Sequence, residues 1–119
     1  MWIYRQLTGQ LLWDERPFGY GYSGHGPGKN NPALEGEHNV GPIPRGDWTV
    51  GDPRDTLDHG PFVLPLMPCD GTDPLGRSAF LIHGDAAGHV GEASQGCIIL
   101  PRWARERIVE SGDRLLRVT

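Results

Sequence analysis

The 119-residue sequence predicts a mainly β domain with one C-terminal helix, on three observations. Its 18 glycines and 11 prolines are scattered along the chain, dividing it into many short elements joined by tight turns. Runs such as "WIYRQ", "DWTVG", "PFVLPLMP" and "RSAFLIHGD" combine β-branched, aromatic and other apolar residues over strand lengths. One stretch, "PRWARERIVESG", has helical character with start and stop signals in place. A chain of this length is served by one core, so residues 1–119 are expected to form a single domain.

In order, "WIYRQ" and "LLWDE" read as the arms of a hairpin around "LTGQ". Residues 16–46, dense in Gly, Pro and Asn, read as a long ordered loop, a feature that in a compact domain usually carries function. "DWTVG" is a short strand, and "PFVLPLMP" is a strand placed near a sheet edge by its prolines. "RSAFLIHGD" is a strand that delivers His83 at its end, and "CIIL" is a further short strand or helix entry. Pro101 suits the first turn of the helix and Gly112 its C-terminal cap, after which "DRLLRVT" closes the chain as a strand.

Composition excludes several classes. A net charge of -4 argues against a nucleic-acid partner. The basic residues around Arg102 alternate with acids, as on the solvated face of a helix. No run approaches the ~20 apolar residues of a membrane span. The opening residues lack the charged and apolar regions of a signal peptide, so synthesis in the cytoplasm is expected. The two cysteines, Cys69 in a polar turn and Cys97 before an apolar run, are expected to be free thiols with different roles.

Two nucleotide motifs fail on context. "GYGYSG" matches a dinucleotide fingerprint but is followed by "HGPGKNNP", which cannot be a helix. "GPGKNN" lacks the other residues of a phosphate loop. The glycines instead bring Tyr22, Ser23 and His25 to a surface. No histidine or cysteine pair has structural-zinc spacing; His83 and His89 with Asp85 form the one cluster worth testing, and no metal or cofactor is expected.

What remains is "IHGDAAGHVGEASQGCIILP". A thiol attacks a carbonyl as thiolate, so catalysis needs a base within reach and N–H groups aimed at the oxyanion. His83 leaves a buried strand, and Ser94, Gln95 and Gly96 form a tight polar approach to Cys97. Gly96 leaves its backbone N–H unobstructed. A buried core thiol at Cys97 is the competing explanation.

"HGD…ASQGCIIL" resembles the active-site signature of L,D-transpeptidases of the YkuD type. With "YSGHG", "NNP", "GPIPRGDWTVG" and the "P-R" after "CIIL", the chain resembles more closely a compact branch of that superfamily over Tyr4–Val118. That branch includes L,D-transpeptidase-like effectors of type VI secretion and related phage and prophage proteins. The resemblance implies a compact YkuD-like β-sandwich or barrel. It implies Cys97 as nucleophile, His83 as base oriented by the carbonyl of Gly84, and the N–H groups of Gly96 and Cys97 as oxyanion hole. It implies Ser94 as support for the loop or substrate, and Tyr22 and Ser23 as lining of the substrate groove. Arg102 would bond the loop or a substrate carboxylate, with Arg77 and Lys29 as other candidates. His25, Asp85 and Gln95 complete the residues expected to meet substrate. Gln95 stands where many relatives carry a second histidine.

The implied reaction is acyl transfer on peptidoglycan stem peptides: L,D-carboxypeptidase, D-amino-acid exchange or cross-linking through a Cys97 thioester. Expected partners are those stems and an immunity protein or secretion component, for a monomer acting in the periplasm or cell wall after delivery by secretion or lysis. Two alternatives are a non-catalytic cell-wall or sugar-binding module and a phage peptidoglycan endopeptidase.

Overall fold

A computed structural model describes all residues 1–119. The first hairpin pairs β1 (Trp2–Tyr4) with β2 (Gln10–Trp13), as its alternating aromatic arms dictate. A second turn follows at once. Asp14 and Glu15 both take positive φ (46° and 72°), the backbone of the two-residue turn that best suits strand twist. It opens β3 (Arg16–Tyr20), which pairs with β2, and after Gly21 comes β4 (Tyr22–Ser23). Residues 16–23 are therefore strand rather than the start of the long loop, which runs over residues 24–45 with two 3-10 turns. The turn was hidden because neither of its residues is glycine.

The remaining strands are β5 (Gly46–Val50), β6 (Arg54–Thr56), β7 (Gly60–Pro68), β8 (Leu81–His83), β9 (Ile98–Ile99) and β10 (Leu115–Val118); α1 spans Arg102–Ser111. Pro101 caps α1, and Gly112 ends it in the left-handed conformation at φ 69°. The mainly β architecture with one C-terminal helix is the predicted class. Strand order is β3-β2-β1-β10-β5-β7-β8-β9-β4, with β6 also on β7. The two ends of this path, β3 and β4, are separated in the chain by Gly21 alone, so the sheet comes round upon itself. They form no ladder with each other, and the barrel stays open.

β7 lies inside the sheet, between β5 and β8, and not at an edge. Pro65 is tolerated because it falls between the ladder to β6 (through Val63) and the ladder to β5 (from Leu66). The core inside the curved sheet joins Trp2, Tyr4, Trp48, Ile82, Ile98 and Leu116 to Ala104 and Ile108 of α1. Fully burying aliphatic side chains of this kind contributes about 1.5–3 kcal/mol each. The parallel pair β8–β9 sits in this core with Ile82 opposite Ile98 and His83 opposite Ile99. That register sets Cys97, the residue before β9, level with Leu81, so the histidine and the thiol are carried on neighbouring parallel strands two residues out of step.

Candidate active site

Beside these two strands a cleft of about 830 Å³ opens, and its lining includes both His83 and Cys97. His83 is the last residue of β8 and is buried, so its backbone is held by the core. Its Nδ1 lies 2.9 Å from the carbonyl oxygen of Gly84. A carbonyl can only accept, so Nδ1 carries the proton and Nε2 of the neutral ring is the free basic nitrogen. Burial pushes the imidazole below its ordinary range, against the Gly84 contact; His59 and Arg105 push it the same way, and Asp85 opposes them.

Cys97 is half-buried; its thiol makes a long contact, 3.9 Å, with the carbonyl of Ala79, meets the Leu81 N–H and makes no hydrogen bond with His83. Burial pushes the thiol up, partly offset by the Leu81 N–H and the Arg77 guanidinium. With the thiol raised and the imidazole lowered, the pair rests neutral rather than as thiolate and imidazolium. Cys69 is the other free thiol; it follows β7, lies 3.3 Å from the Thr49 hydroxyl and does not line the cleft.

The loop before Cys97 is set by hydroxyls. Ser94 is fully buried; its Oγ donates to the carbonyl of Cys97 (2.6 Å) and accepts from the N–H groups of Gly24 (2.9 Å) and Gly96 (3.1 Å). The Gly96 N–H is thus taken, which corrects the expected pairing of Gly96 and Cys97 amides as oxyanion hole. The Cys97 N–H makes no intramolecular bond. Gly96 is required for another reason. At φ 134°, a Cβ there would lie 2.4 Å from a nitrogen of Arg77 and 3.1 Å from the Phe80 ring.

Several predicted contacts turn out to be supports. Ser23 is fully buried, its Oγ donating to the Gly96 carbonyl (2.8 Å) and accepting from the Ile43 N–H (2.8 Å). Tyr22 donates to Asp85 (2.6 Å) and accepts from the Ala93 N–H (2.8 Å); burial and then Asp85 push its hydroxyl up to about 12. Neither Tyr22 nor Ser23 lines the cleft, which corrects their expected place in the groove. Asp85 does line it, but its carboxylate is held by Tyr22 and by the N–H groups of Ala86 and Gly91. His25, Gln95 and Gly84 also line it. Arg102 does not: it pairs with Glu106 at 3.7 Å and stacks over Phe62.

Two residues stand out that sequence reasoning placed elsewhere or passed over. Arg77 is 6% exposed and donates to the carbonyls of Glu35, Pro42 (2.7 Å), Gly41 (2.9 Å) and Gln95 (3.2 Å), tying the long loop to the Cys97 loop. It is committed to protein carbonyls, not offered to a substrate carboxylate. His59, at the turn between β6 and β7, sets its ring 4.6 Å from that of His83. No local motif marks His59; only the β7–β8 pairing brings it there. Across the whole chain no three His, Cys, Asp or Glu side chains converge as a metal site would require.

The Tlde1 domain model matches residues 19–117, nearly the whole chain and all of this site. The chain belongs to the Tlde1 domain family. Tlde1 domains are type VI secretion effector domains of L,D-transpeptidase-like character, a family with an antibacterial role directed at the cell wall. No curated protein matches the chain. Within the Tlde1 match lie the end of β3, β4 to β9, α1 and nearly all of β10, so the match spans His83, Ser94 and Cys97 together.

Proposed function

We propose that this Tlde1 domain is a cysteine-dependent acyltransferase of peptidoglycan tetrapeptide stems, working as an L,D-carboxypeptidase, a D-amino-acid exchanger or both. One observation carries the reading: His83 and Cys97 share a cleft, with His83 Nδ1 held on the Gly84 carbonyl so that Nε2 is left basic. Cys97 Sγ attacks the carbonyl of the third stem residue while His83 Nε2 takes the thiol proton. The Cys97 N–H receives the developing oxyanion. Collapse breaks the peptide bond, His83 returns the proton to the departing D-alanine amine, and a thioester remains. Water or the amine of a free D-amino acid then attacks that thioester, with His83 again as base. Family membership supports delivery to a target cell's periplasm by type VI secretion, with an immunity protein as partner in the producing cell.

Mass spectrometry of tetrapeptide muropeptides incubated with the protein tests this. The expected product has lost its terminal alanine, or has exchanged it for an added D-amino acid. Unchanged masses would sink the proposal and favour a binding module that keeps the fold.

The neutral resting pair has its own consequence. His83 must be unprotonated to accept the thiol proton, and burial holds it below the ordinary histidine value near ~6.5. Turnover at saturating substrate should therefore persist below about pH 6.5 and fall only as His83 protonates at lower pH. Iodoacetamide should also label Cys97 slowly at neutral pH, since thiolate is scarce there. A pH–rate profile whose acid limb lies at or above neutrality would contradict the assignment.

A further inference from the structure

One deeply buried cation takes no part in the proposed chemistry. Arg105, in the first half of α1, is 6% exposed and lies buried there with Ala104 and Ile108. Its Nη1 donates to the carbonyls of Pro61 (3.0 Å) and Phe62 (2.8 Å), while Nε is buried without a partner. Burying a guanidinium so incompletely bonded is costly, and an apolar side chain would fill the same helix position without that cost. Two contacts set the group beside the base. A Cβ on Gly84 would meet Nη2 at 2.9 Å and Cζ at 3.5 Å, so the guanidinium stands where a side chain on Gly84 would go. Through Nη1 it also holds Phe62, a bulky residue at φ 56°, in the left-handed region that disfavours such side chains. That bend is over-determined: the Asp55 carboxylate accepts from the Phe62 N–H (3.0 Å), Arg105 bonds its carbonyl and Arg102 covers its ring.

We propose that Arg105 is the positioning residue of the His83 base, wedged between the Phe62 bend and the Gly84 backbone so that the Gly84 carbonyl stays on Nδ1. This rests on the reading of His83 as base and deepens it. The ring is oriented by a main-chain carbonyl one residue along, so its direction follows wherever Gly84 sits. Gly84 lies one residue past β8 and bonds no other backbone group, which leaves the packed guanidinium to fix it. Charge acts alongside shape. The ring is faced by His59 from the β6–β7 turn, Arg105 from α1 and Asp85 from the following loop, with Cys97 lining the same cleft. Burial is the main force holding His83 below its ordinary range; His59 and Arg105 add to it, against the Gly84 contact and Asp85. A guanidinium is charged at every working pH, so this push is constant. Removing it lets His83 protonate closer to the ordinary value near ~6.5, and the acid limb of the rate profile moves up with it.

Nitrogen-15 NMR of the histidine rings tests this without turnover, on the whole chain as wild type, Arg105→Met, Arg105→Lys and Gly84→Ala. At about pH 7.5 the wild-type His83 should be one neutral tautomer with its proton on Nδ1. Arg105→Met keeps an apolar stem and loses the fork. Its His83 should mix both tautomers and protonate at higher pH than in the wild type. In the muropeptide assay its kcat should fall at least about tenfold, with KM held within about twofold. Arg105→Lys keeps the charge without the planar fork, so the tautomers should mix while the titration midpoint stays near that of the wild type. Gly84→Ala displaces only the far end of a side chain, so it should fold by circular dichroism and mix the tautomers as Arg105→Met does. A single Nδ1–H tautomer with an unmoved midpoint in Arg105→Met would overturn the proposal, as would wild-type His83 signals in Gly84→Ala. Should Arg105→Met fail to fold, the Gly84→Ala spectrum decides. Tautomer mixing in the variants with no cleavage of stems by the wild type would refute the reaction and leave the positioning of His83 standing.

Discussion

Replacing Cys97 with alanine should reduce release of the terminal D-alanine at least about a thousand-fold, with the fold intact. No other nucleophile lines the cleft in a position to substitute: the exposed Ser78 hydroxyl is bonded to no base, and the Ser94 hydroxyl is buried among the Cys97 carbonyl and two amides. The thiol contributes little to stability, because it is half-buried and its polar contacts are only a 3.9 Å approach to the Ala79 carbonyl and the Leu81 N–H. Its removal should cost under about 1 kcal/mol, a shift of only a few degrees in melting temperature. Intact-protein mass spectrometry after acid quench should find the acyl adduct on the wild type and not on the variant. A variant that still trims stems at the wild-type rate would remove Cys97 from the mechanism.

Arg77→Ala should be the most damaging substitution away from the reacting atoms. It strips the shared donor from the carbonyls of Glu35, Gly41, Pro42 and Gln95 and leaves a gap beneath Gly96 and Phe80. Leaving the buried ones among these carbonyls unpaired costs roughly 1–3 kcal/mol each, about 3–5 kcal/mol together. For a chain of this size that lowers the melting temperature by roughly 10–20 °C. Activity should fall even below that temperature, because the Gln95 carbonyl anchors the segment that holds Cys97. Arg77→Lys should not restore either property, since an ammonium lacks the planar fork that reaches four carbonyls. Thermal denaturation followed by circular dichroism, alongside the muropeptide assay, checks both halves. A melting point within about 2 °C of the wild type would show that the loop does not depend on Arg77.

The parts of the fold legible in the sequence were those with strong local signals. The β1–β2 hairpin, β5, α1 with its Pro101 and Gly112 boundaries, and β10 all follow from periodicity and turn chemistry. β3 was not legible, because Asp14 and Glu15 make its turn without a glycine. The interior position of β7 was not legible either, since Pro65 survives only where two neighbouring ladders leave a gap. At the site, His83, Ser94 and Cys97 stood out as a compact motif. The parts played by Tyr22, Ser23 and Arg77 did not, because each residue's hydrogen bonds are made to segments far away in the chain.

By itself, then, the amino-acid order determined the class of fold, the histidine and thiol, and the polar loop between them, all carried by neighbours within a few residues. The tertiary structure decided which donors and charges remain free. Ser94 takes the Gly96 N–H, protein carbonyls take Arg77, and pairing of β7 with β8 carries His59 to His83. Every donor can satisfy one of several acceptors, and the choice belongs to whichever the folded chain brings within about 3 Å.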